Sequence, residues 1–409
     1  MEPKKLLLVI LDGLGDRPIK DLGNKTPLQL AAKSNLDWLA TNGICGIIDP
    51  IAPGVCPGSD TSHLALLGYD PYEVYTGRGP FEAAGSGISI KGGDVAFRCN
   101  FATVDRDMRI LDRRAGRIKE GTSELAKSLN GMKIDDIHVL FKEGIEHRAA
   151  LVLRGPELSA DVSDTDPHIE GEKIWEAKPT SPNAEKTAKI VNQFVQAAHK
   201  ILRTHPINRK REEQGIVPAN AVITRGAGVF PHIKSIEEKY ELKSGVVAGV
   251  ALIKGICRSL GMDTIEVKGA TGGLDTDMIA KAKGALDSLV EKDFVLLHVK
   301  ATDVCSHDGN PMEKIKIIER ADQMVGYIRD HLTENLILSV TADHSTPCSV
   351  RNHSGDPVPL AIFSEGVRVD DVQAFDEVSC AKGGLGRLKG TDLMPLLLDL
   401  ANRNVKFGA

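Results

Sequence analysis

A chain of 409 residues with 42% hydrophobic and 26% charged residues has the composition of a globular protein, and enough length for a large core. Its formal net charge of −5 disfavours nucleic acid or an anionic membrane as a partner, because neither would be attracted over the whole surface. Length alone sets a prior of two or three domains.

The chain opens on MEPKKLLLVILDGLGD, which superficially looks like a secretion signal. Its apolar run, Leu6 to Leu11, is too short for a signal core and stops at Asp12 without a small-residue cleavage site, so a buried strand over 5–11 is expected. A helix over 26–40 follows, with Pro27 just inside its start and an apolar face of Leu28, Ala31, Ala32, Leu36 and Leu39. From about Gly77 to Arg225 the pattern changes to shorter alternating stretches, 95–104 and 138–153, separated by the polar segments 161–171 and 177–183. A long helix over 184–204 closes that region. Continuously apolar strands then return at 294–300, 336–341 and 358–363, with an amphipathic helix over 311–331 between them.

Strands alternating with helices predict an α/β sandwich with a mainly parallel sheet. The middle region reads as an inserted α+β domain over 77–225, splitting the first domain into 1–76 and 226–409, and Gly77 to Pro80 reads as the hinge. No stretch approaches the about 20 apolar residues of a membrane helix. The seven cysteines form no CxxC pair and are odd in number, which predicts reduced thiols and a cytoplasmic protein.

Four segments place acid, imidazole or hydroxyl groups just past a predicted strand or at a helix start, where open α/β sheets bind ligands. Asp12 follows the first strand, with Gly13 and Gly15 permitting a tight turn; a turn-forming Asp is the bland reading. In VCPGSDTSHLALLG, Ser59 starts a helix. It is either a helix cap or a nucleophile, and the absence of a GxSxG elbow points to metal coordination as the activator. Asp303 and His307 are four apart, one helical turn, which lets a carboxylate and an imidazole share an ion; a capped turn with a surface His is the alternative. His298, inside the strand, reads as a packed residue. Adjacent Asp343 and His344 end a strand, and His353 follows nine residues after His344. Two desolvated polar groups at a strand end call for something bound to them. The set of three Asp, three His and one Ser suffices for two divalent ions, with Mn²⁺ the first choice and Co²⁺, Zn²⁺ or Mg²⁺ the others.

The order Asp-Gly, Ser, Asp-x-x-x-His, Asp-His, His resembles the alkaline phosphatase superfamily. The stretches DGLGDRP, TPLQLA, PGSDTSHLALLGYDP, YTGRGPFEAAG, FRCNFATVD, EHRAALVLRG, DTDPH, ITRGAG, KGATGG and TADHSTP run end to end. Together they resemble the archaeal-type branch of the 2,3-bisphosphoglycerate-independent phosphoglycerate mutases. That resemblance implies an alkaline-phosphatase-like α/β/α sandwich and a two-metal enzyme that interconverts 3- and 2-phosphoglycerate in glycolysis and gluconeogenesis. It implies one ion on Asp12, Ser59, Asp343 and His344, the other on Asp303, His307 and His353, and a phosphoserine at Ser59. The insert would supply His147, Arg148 and Arg225 for the substrate's anionic groups, and Asp166 as an acid/base. Lys254 matches a phosphate-facing lysine, and closure of the cleft would exclude water. The same metal core would also suit a phosphatase, a phosphopentomutase or a phosphonate hydrolase, and a non-catalytic metal-binding protein is the reading from a different class. Phosphoglycerate is the partner expected, with a homo-oligomer left open.

Overall fold

The computed structural model describes residues 3–230, 233–404, 406 and 408. The chain divides into two units, Met1–Val74 with Lys234–Ala409, and Tyr75–Ile233. A break after residue 225 would cut the strand Ala221–Val229, which pairs along most of its length with Val95–Val104 of the inserted unit. Gly77 and Pro80 belong to that unit as well, at the start of a helix, Arg78–Gly85.

The split unit is built on eight strands, in chain order β1 (Lys5–Leu11), β2 (Ile44–Asp49), β3 (Ser244–Val247), β4 (Asp263–Thr264), β5 (Phe294–Val299), β6 (Leu336–Thr341), β7 (Val358–Phe363) and β8 (Gly386–Lys389). Their spatial order is β4-β3-β5-β1-β6-β7-β2-β8. Every pairing is parallel except those of β7, which runs antiparallel to both β6 and β2. β5 and β6 are buried along their whole length, and β1 along all but Lys5. Uninterrupted Leu, Ile and Val runs suit strands covered on both faces. One set of helices centres on Pro311–Arg329, which packs against Ser34–Asn42, Met278–Ser288 and Ala301–His307. Another pairs Ala251–Ser259 with Ser59–Leu66. Among the described residues no helix is long and apolar enough to cross a membrane.

This topology collects chemistry at one edge. In parallel strands all carboxyl ends lie on the same side, and β1, β5 and β6 are neighbours in register, Ile10 opposite both His298 and Thr341. Their exits deliver Asp12, Asp303 and Asp343 side by side. β2 points the same way, so the loop after it brings Ser59 to that edge, while reversed β7 starts there and brings His353.

The helix expected over 26–40 is two pieces, Pro27–Leu30 and Ser34–Asn42. Ala31 turns extended (ψ 139°), and the second piece is capped from outside. The Asp322 carboxylate accepts from the backbone N–H of Asn35 and Leu36 at 2.9 and 2.8 Å. A remote carboxylate thus takes the place of the missing local cap.

The inserted unit carries six antiparallel strands around Val95–Val104, which pairs with Arg148–Arg154 and Ala221–Val229. The stretch 138–153 is a hairpin of Ile137–Glu143 and Arg148–Arg154. The helix Glu185–Leu202 buries Ile190, Val191, Phe194 and Ala198 against Phe97, Phe101 and Phe141, which gives this unit its own core.

Candidate active site

All seven residues expected to hold metal, with Ser59 among them, meet at the carboxyl edge of the split unit. Ligand atoms of Asp12, Asp343 and His344 lie within 4.8 Å of one another, and so do those of Asp303, His344 and His353. His307 Nε2 is 3.3 Å from Asp303 Oδ2, joining the second group. Ser59 is the first residue of its helix, yet its hydroxyl does not cap it. Thr61 takes that task, its Oγ1 accepting from the Gly58 N–H. Ser59 Oγ instead lies 3.1 Å from His344 Nε2.

The hydrogen bonds set the protonation of His344. Thr346 Oγ1 has one hydrogen, which goes to Asp303 Oδ1 at 2.8 Å. Toward His344 Nδ1, 3.0 Å away, the hydroxyl must therefore accept. That puts the imidazole proton on Nδ1 and leaves Nε2 a bare lone pair. Burial keeps the ring neutral, pushing its pKa down to about 3. Around this lone pair stand Ser59 Oγ, Asp343 Oδ2 at 3.3 Å and Asp12 Oδ1 at 3.5 Å. Asp343 Oδ2 is fully buried with no hydrogen-bond partner among the described residues. With Nε2 bare, the Ser59 hydroxyl is the donor to it, and once that proton is lost the converging oxygens and nitrogen present only lone pairs, a cation-binding arrangement.

The charge balance agrees. Asp12, Asp303 and Asp343 are three buried carboxylates with one nearby ammonium, that of Lys300. Burial and the neighbouring Asp12 charge push Asp343 upward. Burial works against ionised Asp12 too, but Lys300 and His298 hold it well below the usual carboxylate range. Against burial and Asp12, His307 and Lys300 do the same for Asp303. The mixed carboxylate, imidazole and hydroxyl donors, short of positive charge, fit divalent ions.

Residues that sequence reasoning passed over complete the centre. His298 is not merely packed: its Nε2 donates to Asp12 Oδ2 at 2.8 Å, fixing that carboxylate. Lys300 Nζ bonds Asp12 Oδ1 at 2.9 Å and Asp303 Oδ2 at 2.6 Å. Thr302 donates to the Asp12 carbonyl. His63, one turn after Ser59, is buried beside His298 and donates Nδ1–H to the Ser59 carbonyl at 2.7 Å. Gly13 sits at φ +63°, and a Cβ there would meet Asp303 Oδ1 at 2.6 Å and Thr346 Oγ1 at 2.7 Å. The DG pair was legible as a turn; its need for a bare Cα comes from the neighbouring segments.

Lys254 lies on the Ala251–Ser259 helix and is not joined to this cluster. Its ammonium is held by both oxygens of Glu266, at 2.9 and 2.8 Å. His147, Arg148, Arg225 and Asp166 belong to the inserted unit. There Arg225 stands opposite Arg98 on adjacent strands, and Arg148, Arg78 and Arg225 all raise the local positive potential at Arg98. Burial with these like charges pushes Arg98 down to about 10 against the pull of Glu82, whose Oε1 is 3.9 Å from its Nε. Arg98, unmarked in sequence except by its central strand, thus joins Arg78, Arg148 and Arg225 in one basic cluster. His147 is pushed down to about 4 by burial and by Arg148 and Arg114. Asp166 receives a two-point bond from Arg113, at 2.9 and 2.7 Å, and the His168 N–H at 2.9 Å. Although burial opposes its charge, these donors keep it ionised, which argues for an anchor of Arg113 over an acid/base.

Comparison with known proteins shows the family. Residues 40–208 match the family model of 2,3-bisphosphoglycerate-independent phosphoglycerate mutase. The protein named 2,3-bisphosphoglycerate-independent phosphoglycerate mutase 1 from Methanothermobacter thermautotrophicus is 51% identical over 412 aligned residues, covering 99% of this chain and 100% of that one. The one of the same name from Methanocaldococcus jannaschii is 49% identical, with full coverage of both. The solved cofactor-independent phosphoglycerate mutase of Thermoplasma acidophilum is 42% identical, covers 97% of this chain and 100% of its own, and superposes with a TM-score of 0.77. End-to-end similarity at this level leaves no part of the chain outside the relationship: it belongs to the family of 2,3-bisphosphoglycerate-independent phosphoglycerate mutases.

Proposed function

We propose that this chain interconverts 3-phosphoglycerate and 2-phosphoglycerate without 2,3-bisphosphoglycerate, using Ser59 as the phosphoryl acceptor and donor. The observation that carries the reading is the convergence of Ser59 Oγ, the bare His344 Nε2, Asp12 and unpartnered Asp343 Oδ2 on one point. Asp12, Ser59, Asp343 and His344 would hold one divalent ion, and Asp303, His307 and His353 the other, Mn²⁺ being the first candidate. Bound there, the ions would lower the serine hydroxyl pKa and neutralise charge on the transferring phosphoryl group.

The chain's own residues do the rest. Ser59 Oγ gives up its proton and attacks phosphorus, the bond from phosphorus to the 3-oxygen breaks, and that oxygen takes up the proton to leave as a hydroxyl. The 2-oxygen then attacks the same phosphorus as its bond to Ser59 Oγ breaks, and the 2-hydroxyl proton returns to Ser59. The Ser59–Leu66 helix presents its N-terminal N–H groups to the phosphoryl oxygens. Thr346 and Asp303 hold the His344 tautomer throughout, and His298 holds Asp12. The basic cluster of Arg98, Arg148, Arg225 and His147 has the chemistry for the carboxylate and phosphate of the substrate. A glycolytic enzyme of this kind works in the cytoplasm.

Ser59→Ala tests the assignment. It should keep the fold and bind Mn²⁺ while losing all turnover; mutase activity at the wild-type rate would remove Ser59 from the mechanism.

A further inference from the structure

Lys300 occupies an unusual place. It links β5 to the Ala301–His307 helix, and its side chain turns into the cluster, where Nζ donates to one carboxylate from each ligand group, Asp12 Oδ1 at 2.9 Å and Asp303 Oδ2 at 2.6 Å. The Asp343 carboxyl group lies close by, and the Lys300 side chain is only about one-fifth exposed (21%). The same two oxygens face ligand imidazoles, Asp12 Oδ1 at 3.5 Å from His344 Nε2 and Asp303 Oδ2 at 3.3 Å from His307 Nε2.

We infer that Lys300 is a resident counter-cation that keeps both ligand groups ordered when they hold no ion and sets how tightly divalent ions bind. Two effects have the same sign. Without an ion, the ammonium offsets the mutual repulsion of three buried carboxylates, so the empty centre is stabilised. With ions bound, the ammonium would compete with them for both carboxylates and stay beside two divalent charges, so the filled centre would be destabilised. Lys300 therefore weakens ion binding relative to what the ligands alone would give, and keeps the ions exchangeable. It is a positioning residue, acting through Asp12 and Asp303. This inference rests on the two-metal reading above.

The test is Mn²⁺ titration of metal-stripped protein by calorimetry at pH 8, together with thermal unfolding of the stripped form, for wild type, Lys300→Met, Lys300→Gln and Lys300→Arg. The neutral variants should unfold at lower temperature when stripped, yet bind Mn²⁺ about tenfold tighter or more, as expected for removing a like charge a few ångströms from the ion. Lys300→Arg should stay within about threefold of wild type, because the charge is retained. A lysine with a merely structural role gives the opposite pairing, lower stability with equal or weaker Mn²⁺ binding, and that result in either neutral variant overturns the inference. If Lys300→Met does not fold when stripped, Lys300→Gln, which can still hydrogen-bond Asp12, decides. Wild-type protein that binds no Mn²⁺ overturns the two-metal reading as well, whereas normal wild-type binding with unchanged neutral variants overturns only the role of Lys300.

Discussion

Replacing Thr346 by Val tests the tautomer argument at nearly constant volume. The hydroxyl makes two buried bonds, donating to ionised Asp303 at 2.8 Å and accepting from His344 Nδ1 at 3.0 Å. Both partners and Thr346 are essentially inaccessible, so water cannot replace what is lost. A bond to a charged group is worth about 1.5–3 kcal/mol and an unmet buried N–H costs about 1–3 kcal/mol, so partial relaxation leaves ~2–4 kcal/mol of destabilisation. With Nδ1–H no longer fixed, the proton can move to Nε2 and cover the lone pair beside Ser59, and divalent-ion affinity should fall ~10–100-fold, the usual scale for losing an outer hydrogen bond to a metal ligand. Chemical denaturation of metal-stripped protein measures the first effect and Mn²⁺ titration the second. Thr346→Ser should restore both. A Thr346→Val protein with wild-type Mn²⁺ affinity would refute the tautomer assignment, whatever its stability.

Gly13→Ala should lose metal affinity and at least ~1 kcal/mol of stability, since φ +63° disfavours any Cβ and the new methyl would press on Asp303 and Thr346; denaturant melts and metal titration check both. Lys314 is fully buried, bonded to Asp16 at 3.0 Å and to the carbonyls of Gly15 and Thr346 at 3.2 Å, so it ties the Asp12 turn to the Asp343–His344 turn. Lys314→Met should destabilise by ~3–5 kcal/mol by stranding Asp16, measurable by urea unfolding. Glu377 accepts from the Asp16 N–H and the Thr26 hydroxyl, and its enclosed carboxyl group is raised by burial from 4.5 to about 7, although the residue as a whole is partly exposed. Its folded pKa lies above the unfolded one, so the folded state holds an extra proton between those values. That contribution is fully present below about pH 4.5 and is lost as pH rises through about 7, amounting to up to about 3 kcal/mol. Glu377→Gln should remove this downward slope from the pH dependence of stripped-protein stability, and an unchanged slope would contradict the burial argument.

The seven ligand candidates were legible because acids, histidines and a serine followed strands whose apolar runs were long enough to recognise, and parallel strands must deliver such residues to one edge. The helpers were not. His298 lies inside an apolar strand, and only the β1–β5 register, which sets it opposite Ile10, brings its ring to Asp12. Lys300 and Thr346 are polar residues of ordinary type, and what distinguishes them is the carboxylates that other segments place within reach. β3, β4 and β8 have four, two and four residues, too short for a periodic pattern to register. The helix over 26–40 misled because its break depends on Asp322, nearly 290 residues away in sequence. In the inserted unit, arginine charge was visible, but the Arg113–Asp166 pair joins a turn to a loop about 50 residues apart, which composition does not encode.

The central claim is that Ser59 passes a phosphoryl group between the two hydroxyls of one glycerate. The direct measurement supplies Mn²⁺-reconstituted protein with 3-phosphoglycerate, omits 2,3-bisphosphoglycerate, and follows 2-phosphoglycerate and free phosphate together. 2-Phosphoglycerate should form with no accumulation of phosphate. Phosphate released without the isomer would contradict that claim.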